Sequence, residues 1–261
     1  MSDWFLQRPY GVRFEWGPIG AQRLAPDVAC IVVVDVLSFT TSVTVAVEAG
    51  TRVYLYAWRD ETASVFAGAR AAALAVGRRA ATSDSPWSLS PAALRLAPST
   101  PPLVLPSPNG SAIAAAAAGP TVVAGALHNA SAVGPWLAVR GYGTPELPVA
   151  VIAAVERWPD GRLRPALEDL LGAGAIIAAL QAQGAGPCPP RRPQRTPGSR
   201  TPRTYPRPWP AVRPASSCLG AASPKTWPSP ASWMLAPSPF SPTEPSRPNG
   251  PDEGQRLTRL R

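Results

Sequence analysis

The chain has 261 residues, enough for one large or two small domains, and a formal net charge of +9 that would favour a nucleic-acid or membrane partner. Residues 1–185 are nevertheless neutral, with 13 basic and 13 acidic side chains, whereas residues 186–261 carry 12 basic and 3 acidic ones together with 19 of the 35 prolines. Because proline is excluded from helix interiors and central strands, we predict one folded domain at 1–185 and a disordered Pro/Arg-rich tail at 186–261.

Strand and helix patterns alternate through the folded segment. The predicted strands are residues 28–36, 52–57, 103–105, 121–124 and 148–155, and the predicted helices are residues 40–49, 61–76, 112–118, 129–139 and 166–183. Residues 77–102 have the Ser and Pro content of a loop. This alternation predicts βαβ units, and therefore an α/β fold with a mainly parallel sheet.

Local signals support these assignments. Residues 28–36 form a continuous β-branched run, which is typical of a strand buried on both faces. Gly50 predicts a helix end, and Asp60 suits the N-cap of the helix that follows it. Residues 112–118 are an alanine-rich run with high helix propensity. Pro165 suits the first turn of the last helix.

Polar residues follow the third predicted strand at Ser107, Asn109, Gly110 and Ser111. A short Ser/Asn/Gly loop that leads into a helix predicts a phosphate site, because free N–H groups and the helix dipole favour an anion. Gly110 allows the backbone to approach a phosphate closely. The same string also fits an ordinary turn and helix cap. It matches the glycosylation pattern too, but the N-terminus lacks the apolar run of a secretion signal.

Carboxylates lie near the ends of two other predicted strands. Asp35 ends the first strand, Glu156 follows the fifth, and Glu168 and Asp169 begin the next helix. Carboxylate oxygens are the ligands that Mg²⁺ prefers, and Mg²⁺ can neutralise a phosphate ester. The alternatives are a helix cap for Asp35, a surface ion pair for Glu156 and helix N-terminal charges for the other two.

Other residues give weaker indications. His128 is the one histidine of the chain, and a cap or surface position is the ordinary interpretation. Cys30 lies in an apolar run and is expected to be a small core residue, while Cys188 and Cys218 have no metal-site spacing. No stretch of about 20 apolar residues predicts a membrane span. We expect a cytoplasmic protein.

Four strings in chain order resemble the 2-phosphosulfolactate phosphatase family: DVLSFTTSVTVAVEAG, LPSPNGS, AGALHNASAV and ERWPDGRLRPALEDLLGAGA. The resemblance covers about residues 10–185. It implies an α/β phosphatase that uses Mg²⁺ to hydrolyse 2-phosphosulfolactate to sulfolactate and phosphate. The positions that match family motifs are Asp35, Thr40, Thr41, Asn109, Gly110, Ser111, Glu156, Glu168 and Asp169.

From their chemistry we assign these residues to roles. Asp35, Glu156 and Asp169 are the predicted catalytic and metal-binding residues. The predicted phosphate-binding residues are Thr40, Thr41, Ser107, Asn109, Gly110 and Ser111.

Three positions depart from the family pattern. Ser38 and His128 stand where family members usually have arginine, so two fixed positive charges are lost. Val155 stands where glycine is expected before Glu156, and a β-branched residue does not readily adopt positive φ. These departures predict weaker anion binding.

The tail departs most, since family members continue with strings like LSPEA and, later, FAEDVALAGELD. One DNA sequence that encodes residues 187–192 is CCC TGT CCC CCG AGG CGG. Translated in the frame that begins at its third base, this DNA encodes Leu-Ser-Pro-Glu-Ala. Residues 222–234, written with G/C-rich codons, encode the second string when the DNA is translated in the same shifted frame. We therefore hypothesise a frameshift near Gly186. The domain would then lack the helices that cover its sheet, which predicts exposed apolar surface, aggregation and impaired activity.

Two further hypotheses remain at this stage. One is an inactive remnant that binds phosphate or sulfolactate without turnover. The other is a nucleic-acid-binding protein that uses its basic tail, although aromatic and basic residues alternate only at 205–209. We expect a small phosphate ester as partner, no nucleic acid and no membrane, and an open sheet edge would allow a homo-oligomer.

Overall fold

The computed structural model describes residues 3–57, 59–82, 85–97, 102–117, 119–185 and 234–235. The strands are β1 (Val12–Trp16), β2 (Cys30–Val34), β3 (Val53–Tyr56), β4 (Ala73–Leu74), β5 (Leu103–Pro106), β6 (Thr121–Gly125), β7 (Val149–Ala153), β8 (Val155–Arg157), β9 (Leu163–Pro165) and β10 (Met234–Leu235). The helices are α1 (Gly17–Leu24), α2 (Phe39–Glu48), α3 (Thr62–Gly68), α4 (Pro91–Leu96), α5 (Gly110–Ala116), α6 (Ala130–Val139) and α7 (Leu167–Gln181).

The main sheet has the strand order β1-β7-β2-β6-β10, and its first four strands are parallel. Val32 in the centre of β2 is in register with Val151 of β7 and Val123 of β6. The predicted α/β fold with a mainly parallel sheet is therefore confirmed. A parallel arrangement brings the carboxyl ends of β2, β6 and β7 to the same edge of the sheet, where ligands bind in such folds.

A second parallel sheet has the order β3-β5-β4. The sequence patterns predicted β3 and β5 as strands, but neither β4 nor the separation of these strands from the main sheet. The third paired element is a short antiparallel hairpin of β8 and β9, which continues the chain directly after β7. The hairpin carries Glu156, so its position decides where that carboxylate lies.

Alternate residues of β2 belong to two hydrophobic clusters, one on each face of the main sheet. Ile31 and Val33 pack in a cluster that includes Leu103 of the second sheet. Val32 and Val34 pack in the other, with residues of α6 and α7 such as Leu137 and Ile176. All five residues of β2 are buried, which explains the continuous β-branched run.

Several predicted boundaries were wrong. The helix expected at 61–76 ends at Gly68, and Ala73–Leu74 pairs with β5 instead, so tertiary pairing overrides the helix propensity of the alanines. The expected loop at 77–102 contains α4, whose Ser90 hydroxyl accepts a hydrogen bond from the Ala93 N–H. Pro165 ends β9 rather than beginning a helix. The strands β1 and β9 and the helix α1 were missed.

Of the tail, the structure describes only Met234–Leu235, which pairs antiparallel with Val122 and Val123 at the edge of the main sheet. The prediction of disorder for the remainder lies outside the described residues. None of the helices in the described part of the chain combines the length and hydrophobicity needed to cross a bilayer.

Candidate active site

The loop between β2 and α2 is held in one conformation by a closed set of hydrogen bonds. The Asp35 N–H donates to Thr40 Oγ1 (3.0 Å), and that hydroxyl donates to the Asp35 carbonyl oxygen (2.8 Å). The Phe39 N–H donates to Asp35 Oδ1 at 3.1 Å, and the Phe39 ring packs against Gly110 at the first residue of α5. The Asp35 side chain is therefore fixed beside the start of α5, although β5 belongs to the other sheet.

Asp169 approaches the same loop from the first turn of α7. Its Oδ1 accepts a hydrogen bond from the Val36 N–H at 2.8 Å, across 133 residues of sequence. Asp169 is 4% exposed and Asp35 is 7% exposed. Two carboxylates that are distant in sequence are thus buried around one loop, as the strand-end argument predicted.

Burial and mutual repulsion raise the pKa values of both groups. Burial is the main cause for Asp35, and with the Glu156 charge it raises the pKa to about 6 against the lowering effects of the Phe39 and Gly110 N–H groups and Arg59. For Asp169, burial and the charges of Asp35, Glu168 and Glu156 raise the pKa to about 7. The charges of Asp35, Glu156 and Asp169 therefore act on one another.

The phosphate-binding loop predicted at 107–111 lies beside Asp35. Ser107 Oγ accepts a hydrogen bond from the Gly110 N–H at 3.1 Å, and Ser111 Oγ donates to the Leu105 carbonyl at 3.4 Å. Both serines are buried, whereas Asn109 is partly exposed and makes no side-chain cap of α5. Asn109 is therefore the residue of this loop whose side chain is free to meet a ligand.

Gly110 is required for steric reasons. A Cβ atom at this position would collide with the Phe39 ring, meeting Cδ1 at less than contact distance and Cε1 at 2.8 Å. Phe39 is 1% exposed and cannot move outward without opening the core. A side chain at 110 would therefore push α5 away from Asp35.

We expect Gly110→Ala to destabilise the protein by about 1–3 kcal/mol because of this overpacking, as measured by urea unfolding. Gly174→Ala is the matched control, since Gly174 lies in α7 with no atom within 4 Å of the added Cβ. The control should leave stability unchanged or raise it by up to about 1 kcal/mol. A Gly110→Ala protein as stable as the parent would contradict this packing argument.

The two predicted threonines have hydrogen bonds within the protein. Thr40 is fully buried, and its hydroxyl serves the backbone of Asp35 as described above. The Thr41 hydroxyl donates to the Val36 carbonyl oxygen at 2.8 Å. In this conformation both hydroxyl protons are used to hold the loop, which gives these residues a structural role.

The three departures from the family pattern are accommodated in different ways. The Ser38 hydroxyl donates to the Leu89 carbonyl (2.6 Å) and accepts from Arg78 Nη2 (2.7 Å), so a guanidinium group does reach this position from another loop. Val155 is buried in β8 and is not among the described residues with positive φ. His128 is exposed in the short helical turn between β6 and α6.

Sequence reasoning missed Arg59 and Arg78. Arg59 Nε donates to the Pro106 carbonyl at 3.2 Å, and its charge lowers the pKa of Asp35. Arg59 lies three residues after β3, so its position after a strand end was an available signal. Arg78 lies in a short helical turn within the segment assigned to loop, where no pattern marked it.

Within the described part of the chain, no group of three His, Cys, Asp or Glu side chains has the arrangement of a ready metal site. The donor chemistry nevertheless fits Mg²⁺, which is often held by one or two carboxylates together with waters and substrate phosphate oxygens. Buried carboxylates that repel one another would also be stabilised by a cation. The donor types of Asp35, Asp169 and Glu156 suit such an ion, although the three are not arranged in the described structure as a common metal site.

A comparison with models of known protein families gives a match over most of the folded segment. The model of the family described as 2-phosphosulpholactate phosphatase matches residues 20–188. The match includes every site residue discussed above and ends close to residue 186, where the Pro/Arg-rich segment begins. No curated protein matches the chain.

Proposed function

The chain belongs to the 2-phosphosulpholactate phosphatase family, and we propose that it hydrolyses 2-phosphosulfolactate, or a related 2-phospho acid, to the hydroxy acid and phosphate with the help of Mg²⁺. The observation that carries this proposal is the meeting of Asp35 with the 107–111 loop, since Phe39, whose N–H donates to Asp35 Oδ1, packs its ring against Gly110. A carboxylate cluster for the metal thereby borders a Ser/Asn/Gly loop for the phosphate.

The loop supplies neutral donors to the phosphate group. The partly exposed Asn109 amide would hydrogen-bond its oxygens, while the buried Ser107 hydroxyl holds the Gly110 N–H and so keeps the backbone of the loop in place. These groups orient the ester without adding net charge. They hold it beside Asp35, which is where hydrolysis would take place.

The carboxylates supply the rest of the chemistry. Mg²⁺ bound by Asp35, Asp169 and Glu156, directly or through water, would neutralise the ester and favour attack on phosphorus. We assign to Glu156, which is only partly buried, the role of accepting a proton from the attacking water. The phosphorus–ester oxygen bond breaks, the new P–O bond comes from water, and the leaving oxygen takes up a proton to give the hydroxyl group of the product.

Phosphate release tests this proposal. We expect release from 2-phosphosulfolactate in the presence of Mg²⁺, loss of release after addition of EDTA, and recovery when Mg²⁺ is added back. p-Nitrophenyl phosphate is the comparison substrate. It should react more slowly, because it lacks the carboxylate and sulfonate groups of 2-phosphosulfolactate. Release that is insensitive to EDTA would contradict the metal part of the proposal.

We also propose that this chain carries a frameshift near Gly186 and that its activity is impaired. In support, Leu167 and Leu171 on α7 are 67% and 55% exposed, as expected if a covering segment is missing. The described β10 pairs with only two of the five residues of β6. We refer below to the restored chain, in which residues 1–186 are followed by the shifted reading frame.

The DNA of the gene tests the frameshift directly. The codons of residues 187–192 and 222–234 should permit both family strings at one offset. Codons that do not permit them would rule the hypothesis out.

A further inference from the structure

The hydroxyl group of Ser38 makes a contact outside its own helix. Ser38 is the N-cap residue of α2, yet its side chain makes no hydrogen bond to the first turn of that helix. A serine at this position ordinarily accepts a hydrogen bond from an N–H group of the first turn. Here the Phe39 N–H donates to Asp35 Oδ1 instead, and the Ser38 hydroxyl donates to the Leu89 carbonyl oxygen at 2.6 Å.

Arg78 completes this contact. Its Nε donates to the Leu89 carbonyl oxygen at 3.0 Å, and its Nη2 donates to Ser38 Oγ at 2.7 Å. Nε and Nη2 lie on the same edge of the planar guanidinium group, so one rigid edge binds two oxygens that are themselves hydrogen-bonded. We call these three hydrogen bonds the Arg78 link. A lysine has no such pair of fixed donors.

The Arg78 link joins three segments that are distant in sequence. Ser38 belongs to the loop between β2 and α2, Arg78 to the short helical turn after β4, and Leu89 to the segment before α4. Ser38 and Leu89 are 8% and 9% exposed. Both oxygens of the link are therefore largely removed from water, where a hydrogen bond from a charged donor is strong.

The Arg78 link holds one side of the loop that carries the carboxylate at position 35. The other side is held from α7, where Asp169 Oδ1 accepts a hydrogen bond from the Val36 N–H at 2.8 Å. Directly after Ser38, the ring of Phe39 packs against Gly110 at the start of α5. A displacement of Ser38 would therefore shift the carboxylate loop relative to the 107–111 loop.

We propose that Arg78 is a positioning residue of the active site. Through Ser38 it fixes the loop that carries Asp35, and it thereby sets the spacing between the carboxylates and the 107–111 loop. The inference rests on the proposed function for the purpose of that spacing. Arg78 does not touch the substrate in this account, so its removal should change the order of the loop and the binding of Mg²⁺.

Amide hydrogen exchange, measured by NMR on the chain as it stands with EDTA present, tests the positioning itself. Arg78→Gln and Arg78→Lys should each speed exchange of the Val36 and Phe39 N–H groups about 10-fold, because neither side chain restores the two-oxygen contact. The Val33 N–H in β2 should exchange as in the parent. Arg79→Gln is the matched control, since Arg79 is exposed in the same turn and takes no part in the link.

Ser38→Ala removes the other half of the link. The double variant with Arg78→Gln should exchange little faster at Val36 and Phe39 than Arg78→Gln alone, because both substitutions break the same contact. Effects that multiply would overturn the link, and so would parent-like exchange in Arg78→Gln or Arg78→Lys. Faster exchange that is equal at Val33 would indicate general destabilisation and would overturn the positioning role.

Phosphate release by the restored chain tests what the spacing serves. Arg78→Gln should raise the Mg²⁺ concentration that gives half-maximal release about 10-fold, because the loop that carries Asp35 is less well placed. A smaller folded fraction would lower the maximal rate without moving this concentration. An unchanged concentration would overturn the inference even if loop exchange is faster.

Failure of the proposed function has a different signature. The restored parent would then release no phosphate with Mg²⁺ present, whatever residue stands at position 78. The hydrogen-exchange comparison would still decide whether Arg78 positions the loop, because it requires neither substrate nor metal.

Discussion

Asp35→Asn is expected to lower phosphate release from 2-phosphosulfolactate by about 1,000-fold or more in the restored chain. The substitution removes the negative charge at the centre of the carboxylate cluster. An asparagine oxygen can still accept the hydrogen bond of the Phe39 N–H, so the loop should keep its geometry. The loss of phosphate release would therefore result from the missing negative charge of Asp35 and not from unfolding of the protein.

The control for this variant is Asp160→Asn. Asp160 lies in the β8–β9 hairpin and pairs with Arg162 at the surface, so its loss should change activity by no more than about twofold. A second measurement uses the chain as it stands: Mg²⁺ should raise its melting temperature, and Asp35→Asn should abolish that increase. Activity of Asp35→Asn within tenfold of the parent would contradict the assigned role.

The free energy of unfolding is expected to fall as pH rises from about 4 to 7 in the presence of EDTA. Burial raises the pKa of Asp35 from 3.8 to about 6 and that of Asp169 to about 7. Between the unfolded and folded pKa values the folded protein binds more protons, so the contribution of these groups is fully present below the unfolded value and is lost as pH rises through the folded one. For Asp35 the loss is about 3 kcal/mol.

Asp169→Asn isolates this effect. Asparagine keeps the acceptor for the Val36 N–H but cannot ionise, so the decline of stability toward neutral pH should become shallower. Urea unfolding at several pH values measures it, and Asp160→Asn should keep the slope of the parent. If the parent and Asp169→Asn had the same pH dependence, the pKa of Asp169 would not be raised in the folded protein.

Much of the fold could be predicted because the main sheet is buried on both faces. The β-branched run at 28–36 specifies such a strand, and the structure has β2 within it. Assignment failed where tertiary pairing competes with local preference, as at Ala73–Leu74, where alanines of high helix propensity pair with β5. The start of α4 was missed although Ser90 and Pro91 are typical of a helix N-terminus.

The carboxylate cluster was predictable for a topological reason, since parallel strands place their carboxyl ends on one edge of the sheet. That argument brings Asp35 and Asp169 together, and the hydrogen bond from the Val36 N–H to Asp169 confirms their proximity. It could not indicate that Thr40 serves its own loop, because hydroxyl partners depend on backbone conformation. Nor could it place Arg59 and Arg78, which come from loops of a second sheet.

The central claim is that this site hydrolyses 2-phosphosulfolactate, and phosphate release by the two forms of the chain tests it most directly. With Mg²⁺ present, the restored chain should release phosphate, and the chain with its present residues 187–261 should release much less or none. That result would support both the phosphatase site and the frameshift. If neither form releases phosphate, the site does not perform the proposed reaction and the account is contradicted.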